Sequence, residues 1–458
     1  MKYISTRNNS KEYSFEQVFI KSLADDGGLF VPKTLKKFTN DELNSLSKLS
    51  YQDLAKKIIF PFIGNFMSEK KLSKIIKNSY SVFRGDEAVT LVKIGDINVL
   101  ELFHGPTLAF KDIAMQLLGN FYEHYLNKNN KNINIIVATS GDTGAAAIDA
   151  IKGKKNMNIF VLHPYEKVSL VQRKLMSTVK EKNVFNIAIE GNFDDCQNLV
   201  KSMFADKKFS NSINMSGVNS INWARIIAQA VYYFYAYFQI RDERLINFSV
   251  PTGNFGDVYA GYLSKKMGLP INKFIVATNQ NDILHRAISK GKYEAKKVSQ
   301  TNSPSMDIQI ASNFERLIYD LNDCDDKETS KVMHSIKKKK QYIISKDKME
   351  KINKNFLSAS MSEKEVLGTI KDVYDKYAII LDPHSAIGFG ALSKVQIDGN
   401  NIVLATAHPC KFPEAIDKSI RIKPNLPDEL KYVMGEKENY DIISNNLSKV
   451  EQYIKKKI

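Results

Sequence analysis

The chain has 458 residues, of which 66 are Lys or Arg, 50 are Asp or Glu and 43% are hydrophobic, and its formal net charge is +16. A chain of this length and apolar content can bury a substantial core and predicts roughly two to four domains, which excludes disorder as its main state. The positive charge raises nucleic acid, an anionic membrane or an acidic substrate as partners.

Membrane, secretory and disulfide-rich classes are excluded next. The longest fully apolar stretch, residues 230–238, is far shorter than the roughly 18 residues of a membrane span. The start of the chain, MKYISTRNNSKEYSF, lacks the apolar core of a signal peptide. We therefore expect a cytoplasmic protein without a membrane partner. Cys196, Cys324 and Cys410 lie far apart without CxxC spacing, so we expect buried free thiols.

Lysine supplies most of the positive charge. No segment combines arginines with aromatic residues in the way a nucleic-acid surface does. The densest runs, Lys337–Lys340 and Lys455–Lys457, follow helix-like stretches, where solvated lysines are usual. We predict no nucleic-acid partner; only the net charge favours one.

The first 88 residues form a predicted, mainly helical N-terminal unit. Apolar residues at helical spacing predict helices over residues 14–21 and 51–59, and Asn40 is a candidate N-cap for a helix over residues 40–46. The unit contains no evident group of catalytic side chains.

From about residue 88, short apolar runs alternate with helical patterns. The predicted strands are residues 89–94, 97–103, 133–138, 158–162, 184–189, 246–250, 274–277, 378–381 and 401–405. Strands separated by helices predict an α/β fold whose parallel sheets are covered on both faces.

Two glycine turns, Thr139–Gly144 (TSGDTG) and Pro251–Asp257 (PTGNFGD), each join a predicted strand to a predicted helix. Ligands of α/β sheets bind at this end of the strands, and glycines let an anion approach the backbone N–H groups of a helix N-terminus. Either turn alone is equally well explained as a tight connection. Neither is a P-loop or a GxGxxG fingerprint, so nucleotide and dinucleotide sites have no support.

Lys111 follows the apolar segment ELFHGPTLAF and begins a predicted helix. A helix N-terminus and apolar surroundings both lower the pKa of an ammonium group, and a neutral amine is a nucleophile that forms Schiff bases, including one with pyridoxal phosphate. Without further context, an exposed lysine in a first helical turn is more common.

Several separated motifs resemble the threonine synthase family, in the same order. They are YISTRN (residues 3–8), LADDGGLFVP (23–32), FHGPTLAFKD (103–112), SGDTGAAA (140–147), NSINWARI (219–226), PTGNFGD (251–257) and ATAHPCKFPEAI (405–416). The first two resemble the start of the longer bacterial and fungal forms.

The resemblance implies a pyridoxal-phosphate enzyme of fold type II, the tryptophan-synthase-β type. Two parallel-sheet domains would clasp the cofactor beside the N-terminal unit. We expect the larger domain to comprise residues 89–135 and 216–458, with the smaller α/β domain, residues 136–215, inserted between them.

The resemblance also implies the cofactor contacts. Lys111 would form the Schiff base with pyridoxal 5'-phosphate, and Thr406 would hydrogen-bond the pyridine nitrogen. The residues implied to cradle the cofactor phosphate are Gly253, Asn254, Phe255, Gly256 and Asp257. We expect no metal, because the seven histidines lack paired-ligand spacing. His104, His384 and His408 are read as structural or supporting groups near the site, one of them with a possible proton-transfer role.

The implied reaction converts O-phospho-L-homoserine and water to L-threonine and phosphate. The residues implied to receive the amino-acid carboxylate and its neighbouring groups are Ser140, Gly141, Asp142 and Thr143. Those implied to bind the substrate phosphate are Ser220, Asn222 and Arg225. Arginine suits that role because its planar fork matches phosphate oxygens.

Two other readings of the same fold stay open. A threonine or serine dehydratase would share the lysine and the glycine turns, but the NSINWAR motif and the long N-terminal unit favour threonine synthase. A non-catalytic protein of this fold would bind ligands only, and the intact Lys111 argues against it. For assembly, we expect a monomer or a homodimer.

Overall fold

The computed structural model describes residues 1–240 and 244–458. The strands are β1 Tyr3–Ser5, β2 Phe30–Pro32, β3 Thr90–Ile94, β4 Ile97–Glu101, β5 Ile133–Ala138, β6 Met157–Pro164, β7 Val184–Glu190, β8 Met215–Ser216, β9 Ile246–Pro251, β10 Ile271–Thr278, β11 Lys292–Glu294, β12 Gln341–Ile343, β13 Phe356–Ser360, β14 Asn400–Ala405 and β15 Asp441–Ser444. The helices are α1 Phe15–Lys21, α2 Asn40–Leu46, α3 Tyr51–Ile63, α4 Glu69–Tyr80, α5 Lys111–Asn129, α6 Asp142–Ile151, α7 Leu170–Ser177, α8 Phe193–Ala205, α9 Lys207–Ser212, α10 Trp223–Gln239, α11 Gly256–Lys266, α12 Ile283–Lys290, α13 Phe314–Leu321, α14 Asp326–Lys339, α15 Lys346–Asn353, α16 Glu363–Tyr377, α17 Pro383–Val395, α18 Pro413–Ile420 and α19 Leu447–Lys457.

The N-terminal unit consists of the two-stranded antiparallel sheet β1–β2 and helices α1 to α4. Ser14 caps α1 through a capping box, and Thr39, not the expected Asn40, caps α2 in the same way. Tyr3 donates a 2.7 Å hydrogen bond to the Phe62 carbonyl, and its ring packs edge-on against Trp223 of α10. The unit therefore shares its core with the rest of the molecule.

The first large sheet has the strand order β13-β10-β9-β14-β4-β3. All neighbours are parallel except the edge pair β3–β4, which is an antiparallel hairpin. Residues 378–381, predicted as a strand, instead connect α16 to α17. Ala378 ends α16 in a left-handed conformation, with φ 55°, and Pro383 begins α17, so these residues form the connection between two helices and belong to no described strand.

The second sheet is wholly parallel, with the order β15-β7-β6-β5-β8. Its outer strand β15 comes from the carboxy-terminal part of the chain, which the sequence analysis assigned to the larger domain. Val450 and Ile454 of α19 are buried in the core of this second sheet. Residues from about 441 onward therefore pack with the smaller unit, because β15 extends its edge beside β7 and α19 covers apolar surface there.

Helices cover both faces of the first sheet. Phe248 and Val250 of β9 pack in the large core that contains α10 and α11. Ile275 of β10 and Val403 of β14 pack with α16 and α17 on the other side. Burial on both faces explains why these strands are almost continuously apolar, and the predicted α/β fold is confirmed.

None of the helices in the described ranges is long and apolar enough to cross a membrane. Cys196 and Cys410 are buried free thiols, as expected. Cys324 is exposed, contrary to expectation, because it lies in a left-handed turn after α13.

Candidate active site

Lys111 is the first residue of α5 and is 7% exposed. Its Nζ lies 3.2 Å from Asp142 Oδ2 and 2.9 Å from Ser305 Oγ. Burial lowers the pKa of Lys111 and outweighs the raising effect of Asp142, while Lys411 lowers it further. Lys111 therefore has the lowered pKa that its sequence setting predicts.

The segment before Lys111 runs beside the segment after β14. Phe110 N–H donates to the Thr406 carbonyl at 2.9 Å, and His408 N–H donates to the Leu108 carbonyl at 3.0 Å. The Thr406 N–H donates to Ser385 Oγ at 3.0 Å. The structure thus brings Thr406 next to the base of the Lys111 helix, although 295 positions separate the two residues (406 − 111).

The glycine turn between β5 and α6 is built around Thr139, which the sequence analysis did not single out as a site residue. Its Oγ1 accepts hydrogen bonds from the N–H groups of Gly141 and Gly144, both at 2.9 Å. Gly141 has φ 134°, and a Cβ atom there would lie 2.5 Å from the Gln172 side chain, so glycine is required. This turn points Asp142 at Lys111 and leaves Ser140 and Thr143 half-buried.

The second glycine turn joins β9 to α11 and has the features of an anion cradle. Within residues 1–240 and 244–458, the backbone N–H groups of Gly253–Asp257 donate to no other protein atom. They lie at the N-terminus of α11, where backbone dipoles favour negative charge. A Cβ atom on Gly253 would lie 2.8 Å from the Ser305 carbonyl, so the turn abuts the residue that contacts Lys111.

Three side chains of this turn have protein partners of their own. Phe255, with φ 62°, packs its ring against Phe314 at 5.3 Å. Asp257 accepts hydrogen bonds from Tyr232 and Tyr233 of α10. Asn254 donates to Ser220 Oγ and accepts from the Ser312 N–H. Phe255 therefore offers a ligand only its backbone, Asp257 has one oxygen taken by the tyrosines and a buried Oδ2 without a partner, and Asn254 links the turn to Ser220.

Because the Asp257 carboxyl is buried, we predict that the stability of the protein depends on pH. Burial raises its pKa from 3.8 to about 6, although Tyr232 and Tyr233 oppose the shift. Between pH 3.8 and about pH 6 the Asp257 carboxyl is deprotonated in the unfolded chain but stays protonated in the folded chain. The free energy of unfolding therefore falls as the pH rises through this range. The effect amounts to at most about 3 kcal/mol. We expect Asp257→Asn to gain stability relative to the parent between about pH 4 and pH 6, measured by denaturant unfolding. A difference that stays constant over this range contradicts the prediction.

The 220–225 segment leads into α10. Asn222 caps this helix: its Oδ1 accepts from Ala224 N–H at 3.0 Å, and its Nδ2 donates to the Phe19 carbonyl and Ser22 Oγ. Both polar atoms of its side chain are thus used within the protein, although the resemblance implies a substrate contact for it. Ser220 remains beside Asn254 of the second glycine turn.

Arg225 is 4% exposed and lies one helical turn further into α10. Its Nη1 donates to the Val218 carbonyl at 3.0 Å, while its buried Nε has no hydrogen-bond partner. Burial lowers its pKa to about 10, so it stays charged at neutral pH. Among the described residues, no carboxylate forms an ion pair with Arg225. A buried cation without an anion is a strong candidate for binding a ligand phosphate.

The sequence analysis missed two residues at this centre. Lys411 is fully buried, with its Nζ 2.7 Å from Asp142 Oδ1 and 2.7 Å from the Thr107 carbonyl. It belongs to the quoted motif ATAHPCKFPEAI, which was the available signal. Ser305 contacts both Lys111 and Asp142 but belongs to no quoted motif, so nothing in the sequence marked it.

Only one of the three singled-out histidines contacts this centre. His384 Nε2 accepts a 3.4 Å hydrogen bond from the Ser305 N–H, and its Nδ1 lies 2.9 Å from Asp382. His104 pairs with Glu101, and His408 caps a short turn by accepting from Cys410 N–H. Burial lowers the pKa of His408 to about 4, which keeps it neutral at physiological pH. Elsewhere in the described chain, no three His, Cys, Asp or Glu side chains are grouped to hold a metal ion.

Comparison with known proteins decides the family. Models described as threonine synthase N terminus and threonine synthase C-terminal match residues 2–80 and 385–454, and a model described as pyridoxal-phosphate dependent enzyme matches residues 95–345. The threonine synthase of Pseudomonas aeruginosa is 44% identical over 99% of this chain and 98% of its own. The chain belongs to the threonine synthase family.

Solved structures agree with this family. The pyridoxal-phosphate-bound threonine synthase of Brucella melitensis is 43% identical, covers 100% of this chain and 99% of its own, and superposes with a TM-score of 0.96. A threonine deaminase of Solanum lycopersicum, 13% identical with a TM-score of 0.51, shares the fold alone and does not favour the dehydratase reading. The family, fold type II and pyridoxal phosphate as cofactor are therefore confirmed.

Proposed function

We propose that this member of the threonine synthase family converts O-phospho-L-homoserine and water to L-threonine and phosphate. The proposal rests on one observation, the presence of three features around a single site. A buried lysine amine of lowered pKa, a turn of unpartnered backbone N–H groups and a buried arginine without a counter-ion surround one site. A substrate that carries both an amino-acid group and a phosphate needs such a combination.

The residues present fit the cofactor. The free N–H groups of Gly253–Asp257 would hold its phosphate, Lys111 would bond to its aldehyde carbon, and the Thr406 hydroxyl would face its ring nitrogen. When bound, pyridoxal phosphate accepts electron density from the substrate α-carbon and makes the α-proton removable. A hydroxyl at Thr406, unlike a carboxylate, does not keep the ring nitrogen protonated.

We propose that Lys111 moves the protons of the reaction. Burial favours its neutral form, which can accept the α-proton, and Ser305 and Asp142 orient its Nζ by hydrogen bonds. The reaction also removes a β-proton, expels the γ-phosphate and adds water at the β-carbon. The amine is protonated once it has accepted the α-proton, so it must pass that proton on before it can accept the β-proton. After phosphate leaves, the γ-carbon must also gain a proton to become the methyl group of threonine.

The substrate phosphate is proposed to bind Arg225, with Ser220 beside it. The guanidinium group would balance the negative charge that grows on the departing phosphate. The turn Ser140–Thr143 would receive the substrate carboxylate through the N–H groups at the start of α6. Burial of Lys111, Asp142 and Lys411 keeps water from the centre of the site.

The proposal is tested by two product assays on the purified enzyme. With O-phospho-L-homoserine we expect phosphate and threonine in equal amounts, at a rate that added pyridoxal phosphate increases when the enzyme is not fully loaded. With L-threonine or L-serine as substrate we expect far slower ammonia release. Ammonia release faster than phosphate release would identify a dehydratase and overturn the proposal, and bound cofactor without either product would support the ligand-binding alternative.

The cytoplasmic location and the monomeric or homodimeric state stay predictions, as does the absence of a nucleic-acid partner. The domain limits also stay a proposal, in which strand pairing favours moving residues from about 441 onward to the smaller unit. Light scattering of the purified protein would give its oligomeric state.

A further inference from the structure

Two lysines share one buried carboxylate. Asp142 Oδ2 lies 3.2 Å from Lys111 Nζ, and Asp142 Oδ1 lies 2.7 Å from Lys411 Nζ. Gln172 Nε2 also donates to Oδ1, at 2.8 Å. The Lys411 side chain is 0% exposed and that of Asp142 is 4% exposed. Both lysine nitrogens therefore lie within ion-pair distance of the same buried carboxylate.

Lys411 lies between the two sheets and contacts residues of both units. It lies in the short turn Pro409–Lys411 after β14 of the first sheet, and its Nζ donates to the Thr107 carbonyl at 2.7 Å. Asp142 and Gln172 belong to α6 and α7, which pack on the second sheet. Ser169 Oγ, before α7, donates to the Lys411 carbonyl at 2.9 Å. Both the side chain and the backbone of Lys411 therefore bridge the two units.

The partners of Asp142 change when the enzyme is loaded. Lys111 is the residue proposed to bond to the cofactor, and its nitrogen is then committed to that bond. Lys411 is not proposed to bond to the cofactor, and both contacts of its Nζ are to protein atoms. Asp142 also lies in the turn proposed to receive the substrate carboxylate, where a carboxylate without a counter-ion would repel the substrate.

We propose that Lys411 is a positioning residue for the reaction: it is the permanent counter-ion of Asp142 and holds that carboxylate in place and neutralised once Lys111 is bonded to the cofactor. The inference rests on the proposed role of Lys111. It adds a residue that acts through Asp142, without contact with the reacting atoms.

The charged groups around Asp142 and Lys111 determine in which direction each substitution changes the pKa of the Lys111 nitrogen. Burial would raise the pKa of Asp142, but Lys111 and Lys411 hold it well below its usual value, with His384 adding to them. Lys411 and Arg225 both lower the pKa of Lys111. Lys411 also lowers the pKa of Asp112 of α5, which burial raises to about 6. Removing the Lys411 charge therefore raises the proton affinity of the Lys111 nitrogen, and removing the Asp142 charge lowers it.

The test uses the cofactor-loaded enzyme and the pH at which the visible absorbance of its bound cofactor changes. We expect Lys411→Met to move this midpoint upward by about one pH unit, a tenfold change in proton affinity. Asp142→Asn should move it downward, and the double variant should return close to the parent. Lys431→Met is the matched control, because Lys431 forms an exposed ion pair with Asp428, and its midpoint should not move.

Kinetics supply the second readout. We expect Lys411→Met to raise the KM for O-phospho-L-homoserine more than it lowers kcat, and the addition of Asp142→Asn to reverse part of the KM effect. An unchanged midpoint in Lys411→Met, or shifts of the same sign in both single variants, overturns the inference. If Lys411→Met does not fold, Lys411→Gln takes its place: an upward midpoint shift supports the inference and no shift overturns it. If the midpoints shift as expected but the enzyme releases no phosphate, the inference about Lys411 stands and the proposed reaction is wrong.

Discussion

Lys111→Ala is expected to abolish phosphate release from O-phospho-L-homoserine and to remove the visible absorbance of the covalently bound cofactor. The structure supplies the reason: Lys111 is buried, its pKa is lowered by that burial, and Asp142 and Ser305 orient its amine. Loss of a positioned acid–base group costs up to about 10⁴-fold in rate, and loss of the covalent attachment adds to this. A phosphate-release assay and an absorbance spectrum of the same sample measure both effects.

Lys128→Ala is the matched control for this variant. Lys128 lies on the same helix, is about half-exposed and pairs with Glu16 at the surface, so its loss should leave rate and spectrum unchanged. Thermal unfolding of both variants tests that they are folded. Phosphate release by Lys111→Ala at the parental rate would exclude Lys111 from the reaction.

Arg225→Ala is expected to lower kcat/KM for O-phospho-L-homoserine by about 100- to 1000-fold while the cofactor spectrum is retained. The estimate takes about 3 to 4 kcal/mol for the charge-assisted hydrogen bonds of a buried guanidinium to phosphate. Because Arg225 pairs with no carboxylate in the described chain, its removal leaves no anion stranded, and the variant should fold. Phosphate release at varied substrate concentration, beside a cofactor titration, separates the two ligands.

Arg225→Lys is the informative partner of this variant. It keeps the positive charge but loses the planar fork, so we expect an activity between those of the parent and Arg225→Ala. Loss of the cofactor absorbance in Arg225→Ala would instead assign this residue to the cofactor phosphate. Equal activity of the parent and both variants would remove Arg225 from the site.

Local sequence patterns predicted much of the secondary structure. The run INIIVA predicts the strand that the structure has as Ile133–Ala138, and Ser14 caps the predicted first helix. The same reasoning was wrong for residues 378–381, where the apolar pattern matched a strand but the run connects α16 to α17 and lies in no described sheet. Pairing depends on which segments lie adjacent in space, and an apolar run does not record that.

At the site, the motifs predicted which stretches of backbone lie close together but not where each side chain points. The motif around Asn222 marks a position near the site, yet its amide caps α10 and binds the N-terminal unit. Phe255 and Asp257 belong to the turn proposed to hold the cofactor phosphate, yet their side chains contact Phe314 and Tyr232 in the core. A motif identifies a stretch of backbone, whereas the direction of each side chain follows from φ, ψ and the packing around it.

The sequence by itself determined the α/β class, because periodicity records local backbone preference, and its motifs carry the family resemblance that implies the cofactor and the lysine expected to hold it. Only the tertiary structure decided that Lys411 and Ser305 meet Asp142 and that β15 joins the second sheet. Ser305 and Asp142 are 163 positions apart, and Lys411 is further still. Such contacts arise when the two sheets close on each other, so they depend on the packing of the whole chain and not on any one segment of it.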